Sequence, residues 1–357
     1  MAREDRRVAE GWSRASILAA GLSNVECPAL GPDGWILNVC SLDRPSEPWP
    51  TRGGEITATH PDRALETQVL FSTSSRDVSG IPAALAFGPD EAIYVADEGR
   101  RSIVRVEPSG RMEDFITHFG EERLNGPNDL SFDVNGDLYF TDPWTSSPNN
   151  PIAGVYGFKW ADQSLRRVDT GMQFTNGIVV SEGRLFVAET FSRSVWVYDL
   201  EGNRPARPKR LFCRLPEVKN PPTLPVAVQA TLGVSQVVGP DGMALDAVGN
   251  LWVAHYGGSA VFVYDDRGRL SDVLPVPGAK PTNLCFAGPE LSLTYVAVDD
   301  PGVIMEYDIG ARGNRLNFCP SRVERHSWSS VIADQAVRLP GRRELTRVEP
   351  PDLTLSH

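Results

Sequence analysis

Along most of this chain apolar and polar residues alternate over short runs rather than recurring every three or four positions. In DLSFDVNGDLYFTDPW (129–144) and GMALDAVGNLWVAHYGG (242–258), pairs such as Leu138 with Phe140 and Leu251 with Val253 keep one side of an extended chain apolar. A period of two is the signature of a β-strand with one buried face. The intervening V-N-G-D and A-V-G-N stretches predict hairpin turns. The unit is a strand, a turn, a second strand ending in an acid or small polar residue, a polar link and a third strand. It recurs at 84–110, 129–160, 177–200, 242–268 and 283–309, with a more degenerate copy beginning at 25–40. The equivalent first-strand residues Leu85, Leu130, Ile178, Met243 and Leu284 are separated by 45, 48, 65 and 41 residues, and the long step contains a Pro-rich insertion, 202–236. One such sheet cannot bury both its faces, so six at this spacing are expected to pack radially as an all-β, six-bladed β-propeller. A β-sandwich or solenoid built from the same hairpins is the alternative, and the sustained period without any helical pattern argues against it. The expected organisation is an N-terminal lead (1–20), a propeller catalytic domain (21–310) and a C-terminal tail or closing segment (311–357).

Composition narrows the partners. The 357 residues carry a net charge of −11, and Lys supplies only four of the 35 basic residues, so a broad cationic surface for nucleic acid is not expected. The charged N-terminus is not followed by an apolar signal region, and no apolar run reaches the ~18 residues of a membrane span. Five scattered cysteines without a C-x-x-C indicate a reducing compartment and no disulfide framework or thiolate zinc site. A cytoplasmic location is expected, with the oligomeric state open.

The candidate chemistry lies at the blade entrances. Glu26 in V-E-C-P, Asn128 and Asp129 in G-P-N-D-L, Asn176 in T-N-G-I and Asp241 in G-P-D-G-M recur at one register, as does Asn283 in P-T-N-L. Each alone could be a turn residue. As a set they are costly at strand starts unless something compensates them, and the innermost strands of a propeller converge on its channel. Two carboxylates (Glu26, Asp241) and two carboxamides (Asn128, Asn176) offer hard oxygen ligands for one divalent ion. Ca²⁺ is the first choice, and Zn²⁺, Mn²⁺, Mg²⁺ and Fe²⁺ are also accommodated by such a set.

At these positions the chain resembles a known family. Glu26-Cys27-Pro28, Pro127-Asn128-Asp129 with the LYFTDP run from Leu138 to Pro143, Thr175-Asn176-Gly177 and Pro240-Asp241-Gly242-Met243 are similar to the ordered signatures of the senescence marker protein/gluconolactonase/luciferin-regenerating-like family, within the calcium-dependent phosphotriesterase superfamily. The resemblance spans about residues 20–310. It implies a six-bladed propeller with one catalytic divalent metal at the channel mouth. Glu26, Asn176 and Asp241 match core ligands, and Asn128 matches a fourth ligand or substrate contact. Asp241 also matches the proposed general base or nucleophile. The implied reaction is opening of a lactone by metal-activated water. The alternatives are a phosphotriesterase, a recruited biosynthetic isomerase, hydratase or cyclase, or a non-catalytic, metal-stabilised binding propeller.

The chain departs from the family in two places. Cys27 stands where E-G-P is usual. Gly126 stands where many sugar lactonases carry an Arg, which removes a donor fork for sugar hydroxyls, argues against an aldonolactone and permits a less polar or bulkier lactone or cyclic ester. Asn128, Asp129, Trp144 and His255 are the expected substrate contacts, His255 as a proton shuttle or as a hydrogen-bonded channel residue without a transfer role. Trp144 and Tyr156 bracket an insertion, Thr145 to Ala153, that would overhang the mouth. Phe174 and Trp49 are further rim candidates.

Overall fold

A computed structural model describes residues 15–41, 53–314 apart from 203 and 225, 318, and 327–338. Six antiparallel sheets of four principal strands follow one another along the chain. Their innermost strands are Val25–Leu30, Pro82–Phe87, Leu130–Phe132, Thr175–Ser181, Gly239–Leu245 and Pro281–Ala287. These open blades one to six. The expected six-bladed propeller is the fold observed, and buried apolar residues fill the spaces between successive blades. Strand alternation thus serves two interfaces, because each sheet has a neighbour on either face.

Two parts of the ring run differently from the linear reading. The strand Ala15–Ala20, inside the stretch read as a lead, pairs with Val303–Tyr307 and completes blade six, with Ala15 opposite Tyr307 and Ala20 opposite Val303. The closing strand is therefore supplied by the N-terminal side of the chain, and the ends of the propeller are tied by ladder hydrogen bonds. Within the Pro-rich stretch, Arg210–Arg214 pairs with the blade-four strand Ser194–Glu201 and forms that blade's outer strand. The true excursion is 215–238, which contains the short helix α1 (Val226–Leu232). It approaches the 145–152 loop, where Gly233 faces the Asn149 carboxamide.

The last part of the described chain crosses the face opposite the blade entrances. Gly313 bridges to Asp246 of blade five, and the Asn314 carboxamide donates to Ser181 Oγ of blade four at 3.2 Å. Phe318 meets Phe132 of blade three edge-on, with ring centroids 6.0 Å apart. Helix α2 (Ser327–Arg338) then places Trp328 in the core beside blades one and two, where it is 1% exposed and its indole N–H donates to the Glu91 carbonyl at 2.9 Å.

Candidate active site

A β-bulge at the entrance of the innermost strands creates the site. Ladder register shifts between Glu26 and Ala29, Thr175 and Ile178, and Pro240 and Met243. In blade three Asn128 N–H donates to the Thr141 carbonyl, and Thr141 N–H donates to the Asp129 carbonyl, so two residues again oppose one. A bulge leaves a residue without its ladder partner and re-aims its side chain. That is how residues with poor strand propensity are tolerated here. Cross-blade bonds hold the bulges in place: Thr141 Oγ1 donates to the Asn176 carbonyl (2.8 Å), Thr190 Oγ1 to the Pro240 carbonyl (2.9 Å) and Thr282 Oγ1 to the Val25 carbonyl (2.8 Å).

Glu26, Asn176 and Asp241 interact at this end of the channel, and Asn128 is tied to them through Glu98, whose charge acts on both Glu26 and Asp241. The Asn176 carboxamide donates to the Asp241 carboxylate, whose negative field acts on Glu26. Burial first, then Asp241 and Asp299, hold the Glu26 carboxyl well above the usual carboxylate range. Burial, then Asp129, Asp299 and Glu98, do the same to Asp241. The close fit of the blades is visible at Gly177, where a Cβ would stand 2.2 Å from the Asp241 carbonyl oxygen and 2.8 Å from Gly242 Cα.

Three further site residues, Glu98, Tyr256 and Asp299, are not among the blade-entrance positions. Each stands at or just past the end of its blade's second strand. Glu98 Oε1 accepts from Asn128 Nδ2 at 2.9 Å, and its burial pushes its carboxyl up to about 8. Asp299 pairs with Lys280 Nζ at 3.5 Å. The Tyr256 hydroxyl is raised by burial and by the charges of Asp299, Asp241 and Glu26. Their signal in the sequence is the recurring V-A-D-E, V-A-H-Y and V-A-V-D, in which the last letter, not the third, faces the site.

The third letter does structural work. Asp97 accepts from the Ile81 and Arg100 amides, Asp142 from the Asn125 and Gly126 amides, and Glu189 from the Gln173 amide. His255 occupies this register too, and successive side chains on a strand point to opposite faces. It is therefore turned away from Tyr256 and fully buried between blades four and five, edge-on to Phe262 at 5.2 Å. Burial, and secondarily Arg193, lower its pKa to about 4. The structure thus puts it in the blade wall rather than at the channel, and neither ring nitrogen has a hydrogen-bond partner there.

Asp129 is also engaged. Its two oxygens accept from the Leu130 amide (2.8 Å) and the Ile178 amide (3.0 Å), linking blades three and four, and burial raises its carboxyl to about 7. Trp144 is half-buried at the rim. Tyr156 is inside the wall, stacked on Phe140 at 5.2 Å. Phe174 lies at the rim edge-on to Phe191 (5.9 Å), and Trp49 lies outside the described residues. At Gly126 a Cβ would lie 2.7 Å from Trp144 Cβ and 3.0 Å from the Glu98 carbonyl oxygen, so this position is closed to a longer side chain.

Among the described residues no three of His, Cys, Asp or Glu form a metal cluster. The donor chemistry nevertheless suits a cation. Glu26 and Asp241 press on each other inside the protein, and Asn128 and Asn176 can each offer a carbonyl oxygen while their N–H groups are held by Glu98 and Asp241. Such a set fits a hard, oxygen-seeking divalent ion better than a soft one.

A family model described as the SMP-30/gluconolactonase/LRE-like region matches residues 51–299. The chain is 29% identical to diisopropyl-fluorophosphatase of Loligo vulgaris over 268 residues, 70% of this chain and 79% of that one. It is 31% identical to gluconolactonase of Zymomonas mobilis over 212 residues, 56% of each chain. In structure it is similar to a gluconolactonase from Xanthomonas campestris, with a TM-score of 0.64, 20% identity, and coverage of 83% of this chain and 89% of that one. With its propeller fold, its bulged blade entrances and a family match over residues 51–299, the chain belongs to the SMP-30/gluconolactonase/LRE-like family.

Proposed function

We propose that this protein is a divalent-metal-dependent hydrolase that opens a lactone or related cyclic ester. What supports the proposal is the interaction of Glu26, Asn176 and Asp241 at one end of the channel, with Asn128 joined to them through Glu98, in a chain whose relatives include a gluconolactonase and a pentonolactonase. Glu26, Asp241 and the carbonyl oxygens of Asn128 and Asn176 would hold the ion, Ca²⁺ first. When bound, such an ion polarises an ester carbonyl and acidifies water. The chain's own groups do the rest. Asp241, oriented by the Asn176 N–H, accepts the proton of the attacking water and returns it to the departing ring oxygen. Glu98 fixes the Asn128 carboxamide, and Asp129 locks blade three against blade four.

Gly126 supports a substrate with fewer hydroxyls than a sugar lactone. The similarity to diisopropyl-fluorophosphatase supports a second reading, phosphotriester hydrolysis at the same site. Among the described residues Cys27, Cys40, Cys213 and Cys285 are buried and none is in a disulfide, which suits a reducing compartment, and we place the protein in the cytoplasm.

The test is turnover of aldonolactones, aliphatic lactones and phosphotriesters. Asp241→Asn and Glu26→Gln are expected to lower it by roughly 10²-fold or more, and chelation to abolish it until a divalent ion is restored. Full activity of chelated Asp241→Asn protein would overturn the proposal, and turnover of phosphotriesters alone would favour the second reading.

A further inference from the structure

Beneath the polar ring the channel widens into a chamber of about 560 Å³. Its walls begin one or two positions past the site residues, at Cys27, Asp129, Ile178 and Met243, and none of Glu26, Asn128, Asn176 or Asp241 lines it. The ladder registers put Ala29, Ala86, Ser131, Val179, Ala244 and Cys285 at one level around its middle, a ring of mostly small side chains. At the next level are larger apolar groups, among them Phe87, Phe132, Leu245 and Phe286, and the C-terminal segment adds Asn314 and Phe318 at the far end.

Asp133, Asn135 and Glu182 also line the chamber, half-buried or exposed, at its open end, while the polar side chains deeper in the wall are engaged. Asp129 accepts two amides, and Ser131 Oγ accepts from the Val180 amide. Asn283 Oδ1 accepts from the Leu284 amide, and Ser181 Oγ accepts from Asn314. Apolar surface predominates in the wall, and water at the level of the middle ring would find few of the two to four polar partners it needs. The volume falls in the range of small-molecule pockets, which are mostly apolar with a few placed polar groups.

We propose that this chamber is a second ligand site, for a small uncharged apolar ring compound, separate from the polar ring above it. It is entered from the face that the C-terminal segment crosses. The small residues of the middle ring make the room, and Phe318 forms part of the far wall. The inference does not depend on the reaction proposed for the polar ring.

The experiment is calorimetric titration of the full chain with 1-naphthol, with calcium and again with a chelator. The expected result is one saturable site whose affinity is the same in both. Ala244→Leu and Ala86→Leu, which enlarge side chains of the middle ring, should each weaken binding at least tenfold, and Phe318→Ala several-fold. Thermal melts show whether each variant is folded, and a variant that fails to fold leaves the decision to the other two. No saturable heat up to the solubility of 1-naphthol, equal affinity in all folded variants, or binding lost on chelation would each overturn the proposal.

Discussion

Neighbouring letters of one strand have opposite fates. In V-A-H-Y, His255 goes into the wall between two blades, and Tyr256 goes to the site. Sequence marks both as polar at a strand end, but which face is the channel depends on pleat and register. A folded pKa of about 4 for His255 means that the unfolded chain takes up this proton at higher pH than the folded one. Between about pH 6.5 and 4 the unfolded state thus binds more protons, and stability falls as pH falls, by on the order of 3 kcal/mol across that window. His255→Phe should remove this part of the acid sensitivity. Denaturation midpoints of both proteins from pH 7 to pH 4 test it, and parallel curves would refute the assignment. At Gly126 the expectation concerns space. Gly126→Arg restores the donor of sugar lactonases in name only, because its Cβ collides with Trp144 and with backbone of Glu98. A loss of about 2–4 kcal/mol of stability is expected, without gain of aldonolactone turnover. Improved kcat/KM on an aldonolactone would contradict it.

At the scale of the element, the hairpins were legible and the outer strands less so. Innermost and second strands are packed on both faces, and their alternation is strong. The outer strand Ser164–Met172 is mostly half-buried, and Arg210–Arg214 lies in a Pro-rich stretch, so neither needs the same apolar pattern. The bulges were legible only as a coincidence of polar residues at one register. Their geometry depends on the neighbouring blade, most tightly at Gly177. Gly177→Ala would drive a Cβ into the backbone of Asp241, where no flexible side chain can yield. A cost of about 2–4 kcal/mol and a parallel loss of turnover are expected. Melting and activity assays on the variant provide the check, and an unchanged melting temperature would mean that the blades are not held this closely.

For the whole molecule, the ring is closed by Ala15–Ala20 and the lower face is crossed by the C-terminal segment. Trp328 anchors that segment among residues of blades one and two. Trp328→Ala removes a fully buried aromatic side chain and its hydrogen bond, and about 3–5 kcal/mol of unfolding free energy should go with it. Urea denaturation measures this, and a difference near zero would show that the segment adds nothing to the fold.

By itself the sequence determined the repeat, the number of blades and the four oxygen-bearing residues at the blade entrances, because each is written in local periodicity and in residue type at a shared register. Tertiary structure decided which strand closes the ring, that Glu98, Tyr256 and Asp299 join the site, that His255 does not, and that an apolar chamber lies beneath it. These depend on which face of each strand meets a neighbouring blade and which meets the channel. That is a property of six sheets packed together and is not contained in any one of them.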